Sequence, residues 1–152
     1  MSKSQPFDGL TVVDFTHVLA GPACAYFLSL LGADVIKVES AGRGDAIRHR
    51  GGTDQSAARM GMSTSYLTQA AGKRSLAIDL ENPGDVELFH RLLEHADVLV
   101  ENHVPSTLRR LGLDEASLSR RHQHLIHCAM TGYGRGGPVS YTHLTLPTTN
   151  SV

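Results

Sequence analysis

Leu10-Thr11-Val12-Val13-Asp14-Phe15, then Ala20-Gly21-Pro22, then Ala23 to Leu31 with Gly32 behind it, then Asp34-Val35-Ile36-Lys37-Val38-Glu39: this stretch decides the fold. The two outer runs are short and rich in β-branched residues, which predicts buried strands. Pro22 near the start and Gly32 just past the end punctuate a helix over residues 22–31. That helix is apolar nearly all round, which predicts that it is buried. A strand, a helix and a strand in this order predict a parallel pair joined by a crossover.

The same alternation runs outward along the chain. Ser75-Leu76-Ala77-Ile78-Asp79-Leu80 reads as a third strand. Asn82 is placed to cap a helix that opens at Pro83 and runs to about His95, with Val86, Phe89, Leu92 and Leu93 as its apolar stripe. Asp97–Glu101 reads as a fourth strand and Leu125–Met130 as a fifth, with short helices near residues 106–111 and 114–121 between them. The segment from Ser40 to about Ser65 is polar and glycine-rich, the character of a functional or mobile loop, with a short helix beginning near Ser63. The predicted class is therefore α/β, a mostly parallel sheet with helices on its faces. Such sheets bind ligands at the carboxyl ends of their strands. Those ends carry residues 16–21, 39–45, 101–105 and 131–137.

Composition narrows the function. A chain of 152 residues predicts one domain, and 14 Lys+Arg against 15 Asp+Glu exclude a nucleic-acid binder that works by bulk positive field. The apolar share of 41% supports a core, but no run is long enough for a membrane span. The first six residues lack the apolar stretch of a secretory signal. Cys24 and Cys128 are too few for a disulfide scaffold and too far apart for a CxxC site. They read as reduced thiols of a cytoplasmic protein.

From Val139 the composition changes. Residues 139–152 contain no Asp, Glu, Lys or Arg, and they include Thr142, Thr145, Thr148 and Thr149. The ten residues from Val139 to Thr148 can be back-translated as GTC TCT TAT ACA CAT CTG ACG CTG CCG ACG, which resembles a transposon-end sequencing adapter. The expectation is that residues 1–138 are native domain and residues 139–152 an adapter-derived tail left out of fold reasoning.

Several motifs invite chemistry and fall short of it. Gly132-Tyr133-Gly134-Arg135-Gly136-Gly137 follows a strand, but Pro138 stands where a dinucleotide fingerprint needs a helix. His122, His124, His127 and Cys128 lie close in sequence, but with no carboxylate beside them a solvated turn is the better reading than a metal site. No GxSxG elbow is present. Cys24, on the apolar helix, reads as a small hydrophobe. Arg43, Arg48, His49 and Arg50, with Lys73-Arg74 and Arg109-Arg110, would form a positive rim for phosphates if the strand ends gathered them.

Taken in order, Phe7-Asp8-Gly9-Leu10, Asp14–Pro22, Leu31–Glu39, Gly42-Arg43-Gly44-Asp45, Gly72–Leu80, Ala96–Asn102, Leu108–Gly112 and Thr131–Pro138 resemble the CoA-transferase family III proteins, the CaiB/BaiF group that includes formyl-CoA transferase. The resemblance spans essentially all of residues 7–138. It implies a Rossmann-like large domain with helices on both sheet faces and an interlocked homodimer, and this chain would be an N-terminal fragment of such an enzyme. It implies transfer of coenzyme A from an acyl-CoA to a carboxylic acid acceptor. In that scheme an aspartate attacks the thioester, an anhydride forms, and CoA returns to give an aspartyl thioester. Glycine-loop amides would stabilise the oxyanions.

Carried over position by position, the resemblance puts CoA contacts on His17, Val18, Leu19 and Ala20, on Lys73 and Arg74, on Asn102, His103 and Val104, and on Arg110. Lys73, Arg74 and Arg110 would meet phosphates. His17, Asn102 and His103 would line the nucleotide or pantetheine. No metal, nucleic acid or membrane partner is implied.

Three departures stand out. Ser40 replaces a longer side chain common after the strand-ending Glu. His103-Val104-Pro105-Ser106 replaces an aromatic-x-Pro-Gly run. No Asp follows Pro138, so no catalytic residue is assigned, and the chain itself is expected to be inactive. Two alternatives remain: a fragment of a 2-methylacyl-CoA racemase-type isomerase, from which the run Thr16–Pro22 departs, and a non-catalytic CoA- or nucleotide-binding module.

Overall fold

The computed structural model describes residues 4–50 and 52–138; the expected tail at 139–152 lies outside them. Five strands form one sheet: β1 (Thr11–Phe15), β2 (Asp34–Ser40), β3 (Arg74–Ile78), β4 (Val98–Glu101) and β5 (Ile126–Ala129). Their order is β3-β2-β1-β4-β5, and every neighbouring pair is parallel. The chain starts in the middle, builds outward to one edge, then returns and builds to the other. This order puts a topological switch point between β1 and β4, where ligands of doubly wound sheets bind.

Alternation along the strands divides the core in two. Val12, Val35 and Val100 point to one face, where they pack against Ala25 of α1 (Ala20–Leu30). Val13, Phe15, Val38, Ile78 and Leu99 point to the other. There they meet Phe89 and Leu93 of α4 (Pro83–Leu93), Leu108 of α5 (Pro105–Arg110) and Leu118 of α6 (Glu115–Arg121). Phe89 and Leu93 have no solvent exposure, a burial that contributes roughly 1.5–3 kcal/mol each. Helices thus cover both faces, as expected. Asn82 caps α4 as expected, its Oδ1 accepting from the Gly84 N–H at 2.9 Å.

Three expectations are corrected. Helix α1 begins at Ala20, two residues before Pro22. Proline is tolerated there because the first four helical N–H groups have no intrahelical acceptor. That helix is also not buried all round: Phe27, Leu30 and Leu31 are 62%, 54% and 42% exposed. Together with exposed Met60, Met62 and Leu67 they are apolar surface without cover among the described residues.

The polar stretch after β2 is not a structureless loop. A 3-10 turn (Ala46–His49), α2 (Gln55–Arg59) and α3 (Thr64–Ala70) occupy it. Asp45, Asp54 and Ser63 cap these elements with their side chains. No helix among the described residues is long and apolar enough to cross a membrane.

Candidate functional site

The loop after β1 lies at the switch point, and the neighbouring loops hold it by named atoms. Asn102, just past β4, makes a reciprocal amide pair with His17. Its Oδ1 accepts from the His17 N–H at 3.0 Å, and its Nδ2 donates to the His17 carbonyl at 2.9 Å. Lys37 Nζ donates to the Thr16 carbonyl at 3.0 Å. Asp45 Oδ1 accepts from the Val18 N–H at 3.3 Å and the Ile47 N–H at 3.0 Å. With its amide nitrogen turned toward them, Gln69 of α3 donates to the Val18 and Leu19 carbonyls at 3.1 Å each.

The clamped backbone is strained. Val18 has φ +71°, a left-handed conformation that is an outlier for a β-branched residue. Such strain costs roughly 1–3 kcal/mol and persists only where surroundings over-determine it. Gly21 closes the same turn, because a Cβ there would stand 2.4 Å from Thr16 Cβ.

Beneath the loop is a buried charge network. Lys73 Nζ lies 2.7 Å from Asp14 Oδ2 and donates to the Pro22 carbonyl at 2.7 Å. Lys37 Nζ lies 3.0 Å from Asp45 Oδ2 and 4.0 Å from Asp14 Oδ2. Arg48 meets Glu39 with two bonds, at 2.6 and 2.7 Å, and stacks its guanidinium 3.9 Å from the Tyr66 ring centre. Three cations thus meet three carboxylates, the balance a buried network requires.

Burial works against the charge on Glu39. The hydrogen bonds from Arg48, the Asp45 N–H and Ser75 outweigh it and hold that carboxyl at about 2. Burial, with Glu39 alongside, pushes the Tyr66 hydroxyl up to about 12. Burial also lowers the Lys73 ammonium, against the opposing pull of Asp14.

Above the network opens a cavity of about 340 Å³ at the carboxyl ends of β1, β2 and β3. Phe15, Val38, Ile78, Leu80 and Leu111 are among its apolar residues, and Asp79, Glu81 and Arg110 bring charge to it. His17 and His103 line it with ring centres 5.0 Å apart and planes tilted by 49°, and the His103 ring lies 4.1 Å from that of Phe15 at a tilt of 30°. Arg110 donates to Glu81 at 2.9 Å, and both are exposed. A cluster of tilted rings beside an exposed guanidinium offers an aromatic face to a heterocycle and a fork to a phosphate.

The structure thus brings His17, His103 and Arg110 to one cavity, and uses Asn102 to hold His17. Val18, Leu19 and Ala20 follow on the clamped turn, and Val104 caps α5. Lys73 and Arg74 are placed elsewhere. The Lys73 amine is turned inward on Asp14, with its side chain 1% exposed. Arg74 opens β3 and pairs with Asp34 at the amino end of β2. The positive rim is only partly assembled, since Arg48 is spent on Glu39.

The histidine cluster also differs from expectation. His122 is not in a solvated turn; it is 2% exposed, and its Nε2 lies 2.9 Å from His90 Nδ1. His127 does have a carboxylate beside it, with Glu101 Oε1 at 3.2 Å from its Nε2. Glu101 also accepts from the His103 N–H at 2.8 Å and pairs with Arg135 of the glycine loop. Among the described residues no three His, Cys, Asp or Glu side chains converge as metal ligands.

Sequence reasoning missed Lys37, Asp45, Gln69 and Glu39 as the residues that hold the site. One signal was present: a lysine inside the apolar run Val35-Ile36-Lys37-Val38 must find a buried partner.

Comparison with known proteins gives the family and agrees with the fold. The family model for CoA-transferase family III matches residues 7–143. Human succinyl-CoA:glutarate CoA-transferase is 39% identical over 144 residues, covering 92% of this chain and 31% of the human protein. The β subunit of succinyl-CoA–L-malate CoA-transferase from Chloroflexus aurantiacus is 41% identical, covering 88% of this chain and 32% of that protein. The crystal structure of a CAIB/BAIF family protein from Brucella suis superposes with a TM-score of 0.82 at 37% identity, covering 93% of this chain and 37% of that one. The chain spans about a third of the length of the curated relatives it matches. By sequence and by fold, this chain belongs to CoA-transferase family III.

Proposed function

We propose that this chain is the nucleotide-binding portion of an enzyme that moves coenzyme A from an acyl-CoA to a carboxylic acid. The observation that carries the reading is the cavity at the switch point, where His17, His103 and Arg110 converge beside a strained, clamped turn. The names of the relatives support transferase over racemase chemistry.

In this reading the His103 and His17 rings hold the base by their faces and edges, and Arg110 exchanges Glu81 for a phosphate oxygen. The exchange costs little, because an exposed ion pair is worth ~0–1 kcal/mol. The turn His17–Ala20, fixed by Asn102, Asp45 and Gln69, directs the pantetheine arm toward the acyl centre. The residues that hold the turn are set before binding, so ordering it costs no affinity.

The nucleophile of the scheme is an aspartate that forms an anhydride and then an aspartyl thioester. Asp14, Asp45 and Asp97 do not fill that role. Asp14 is bound to Lys73, Asp45 to Lys37, and Asp97 to the Thr11 N–H at the far end of the sheet. The complete enzyme works in this reading as a cytoplasmic homodimer.

Calorimetric titration of CoA into the purified chain tests the proposal. Saturable binding is expected, weakened roughly tenfold or more in Arg110→Ala, the value of a charge-assisted hydrogen bond. Binding absent from the chain, or unaffected by Arg110→Ala, would contradict it.

A further inference from the structure

Cys24 and Cys128, the only cysteines of the sequence, come from opposite ends of the chain to one place. Both are free and half-buried, and both pack against the same cluster of Val12, Ala25, Val35 and Val100. The strand register explains the meeting. Lys37, Asp14, Val100 and Cys128 form one row across β2, β1, β4 and β5, so their side chains share the face that α1 covers. Cys24, in the second turn of α1, packs on the same cluster as Cys128, which makes the two thiols neighbours on this face. Neither cysteine lines the cavity described above.

We propose that Cys24 and Cys128 form a redox-modification site, at which a peroxide closes an intramolecular disulfide between α1 and β5. One thiolate attacks the peroxide: an S–O bond forms, the O–O bond breaks, and the departing hydroxide takes a proton to leave as water. The second thiol then attacks the sulfenic sulfur: the S–S bond forms, the S–O bond breaks, and a second water leaves. Two thiols lose two electrons to one peroxide, and their protons end in the two waters.

Burial, with Cys128 and Asp14 nearby, pushes the Cys24 thiol up, against the lowering effect of Lys73, so Cys24 suits the resolving role. The link would tie the helix that follows the His17–Ala20 turn to the last strand. It would close a loop of about a hundred residues, which restricts the unfolded chain strongly.

The test is to expose the reduced chain to hydrogen peroxide and map the products by mass spectrometry under non-reducing conditions. The expected product is one cross-linked peptide pair containing Cys24 and Cys128. It should show a mass loss of two hydrogens, reversal by dithiothreitol and a raised melting temperature. Linkage in the native chain should be at least about tenfold faster than in concentrated urea, because the fold supplies the proximity. In Cys24→Ser, Cys128 should stop at a sulfenic acid trapped by dimedone. Recovery of both thiols unchanged would overturn the proposal. So would independent oxidation of each to a sulfinic acid, links only between chains, or equal rates with and without urea. The wild-type map decides the matter even if the variant does not fold.

Discussion

Lys73 Nζ stands 2.7 Å from Asp14 Oδ2 across 59 residues of sequence, and neither side chain is open to solvent. A residue expected to face phosphates instead anchors the floor of the loop that surrounds the cavity. Its contribution is structural: it neutralises a carboxylate that already bonds the Thr16 N–H and hydroxyl.

Removing one partner of this pair leaves a buried charge. Lys73→Met is expected to lower unfolding free energy by ~3–5 kcal/mol in urea titration, since an uncompensated buried ion is costly. The double variant Lys73→Met/Asp14→Leu should recover part of that loss. A single variant as stable as the wild type would show that the pair does not hold the fold.

The clamp on the turn can be tested separately. Asn102→Ala removes both bonds to the His17 backbone and leaves that N–H and carbonyl to other partners. The expected cost is ~1–3 kcal/mol of stability. CoA affinity should fall further than the stability loss explains, because the turn is no longer set before binding.

Val18→Gly should act oppositely on stability. Glycine adopts φ +71° without penalty, so the released strain outweighs the added freedom of the unfolded chain. Thermal denaturation is expected to show a gain of ~1 kcal/mol. A loss would mean that the valine side chain packs better than its exposure indicates.

Acid should lower the unfolding free energy in two pH windows, read by urea titration at each pH. His90 and His122 are both held below the usual histidine range, first by burial and then by Arg121, with Glu87 and Glu94 pulling the other way. A base that is harder to protonate when folded contributes stability above its unfolded value, lost as pH falls below about 6.5. Glu39, at about 2 when folded, contributes stability above about 4.5 that is lost as pH falls toward 2. The Glu39 share is on the order of 3 kcal/mol. Glu39→Gln should flatten the loss in the lower window, and His122→Phe that in the upper.

Much of the fold was legible because period and punctuation agree in this sequence. β-branched runs, Asn82-Pro83 and the glycines after helices fix element order and the parallel sheet. What stayed hidden depends on distance along the chain. The exposure of Phe27 and Leu30 could not be read from an apolar helix, because periodicity does not reveal whether a covering element exists. The short helix near Ser63 was legible and is α3, but the 3-10 turn and α2 before it were missed although Asp45 and Asp54 are ordinary caps, because five glycines between residues 42 and 61 outweighed them. Of the site, His17, Asn102 and His103 were in view at strand ends, and Arg110 through the basic pair Arg109-Arg110 and the family resemblance. Lys37, Asp45 and Gln69 were not, since their partners are set by tertiary contact.

The proposed function requires coenzyme A to enter the cavity at the carboxyl ends of β1, β2 and β3, lined by His103 and Arg110. An amide-resolved NMR titration of the chain with CoA tests it most directly. Saturable shifts are expected at His17, Val18, His103 and Arg110, with residues near Gln55–Arg59 unmoved. Shifts confined to other regions, or none at saturating CoA, would contradict it.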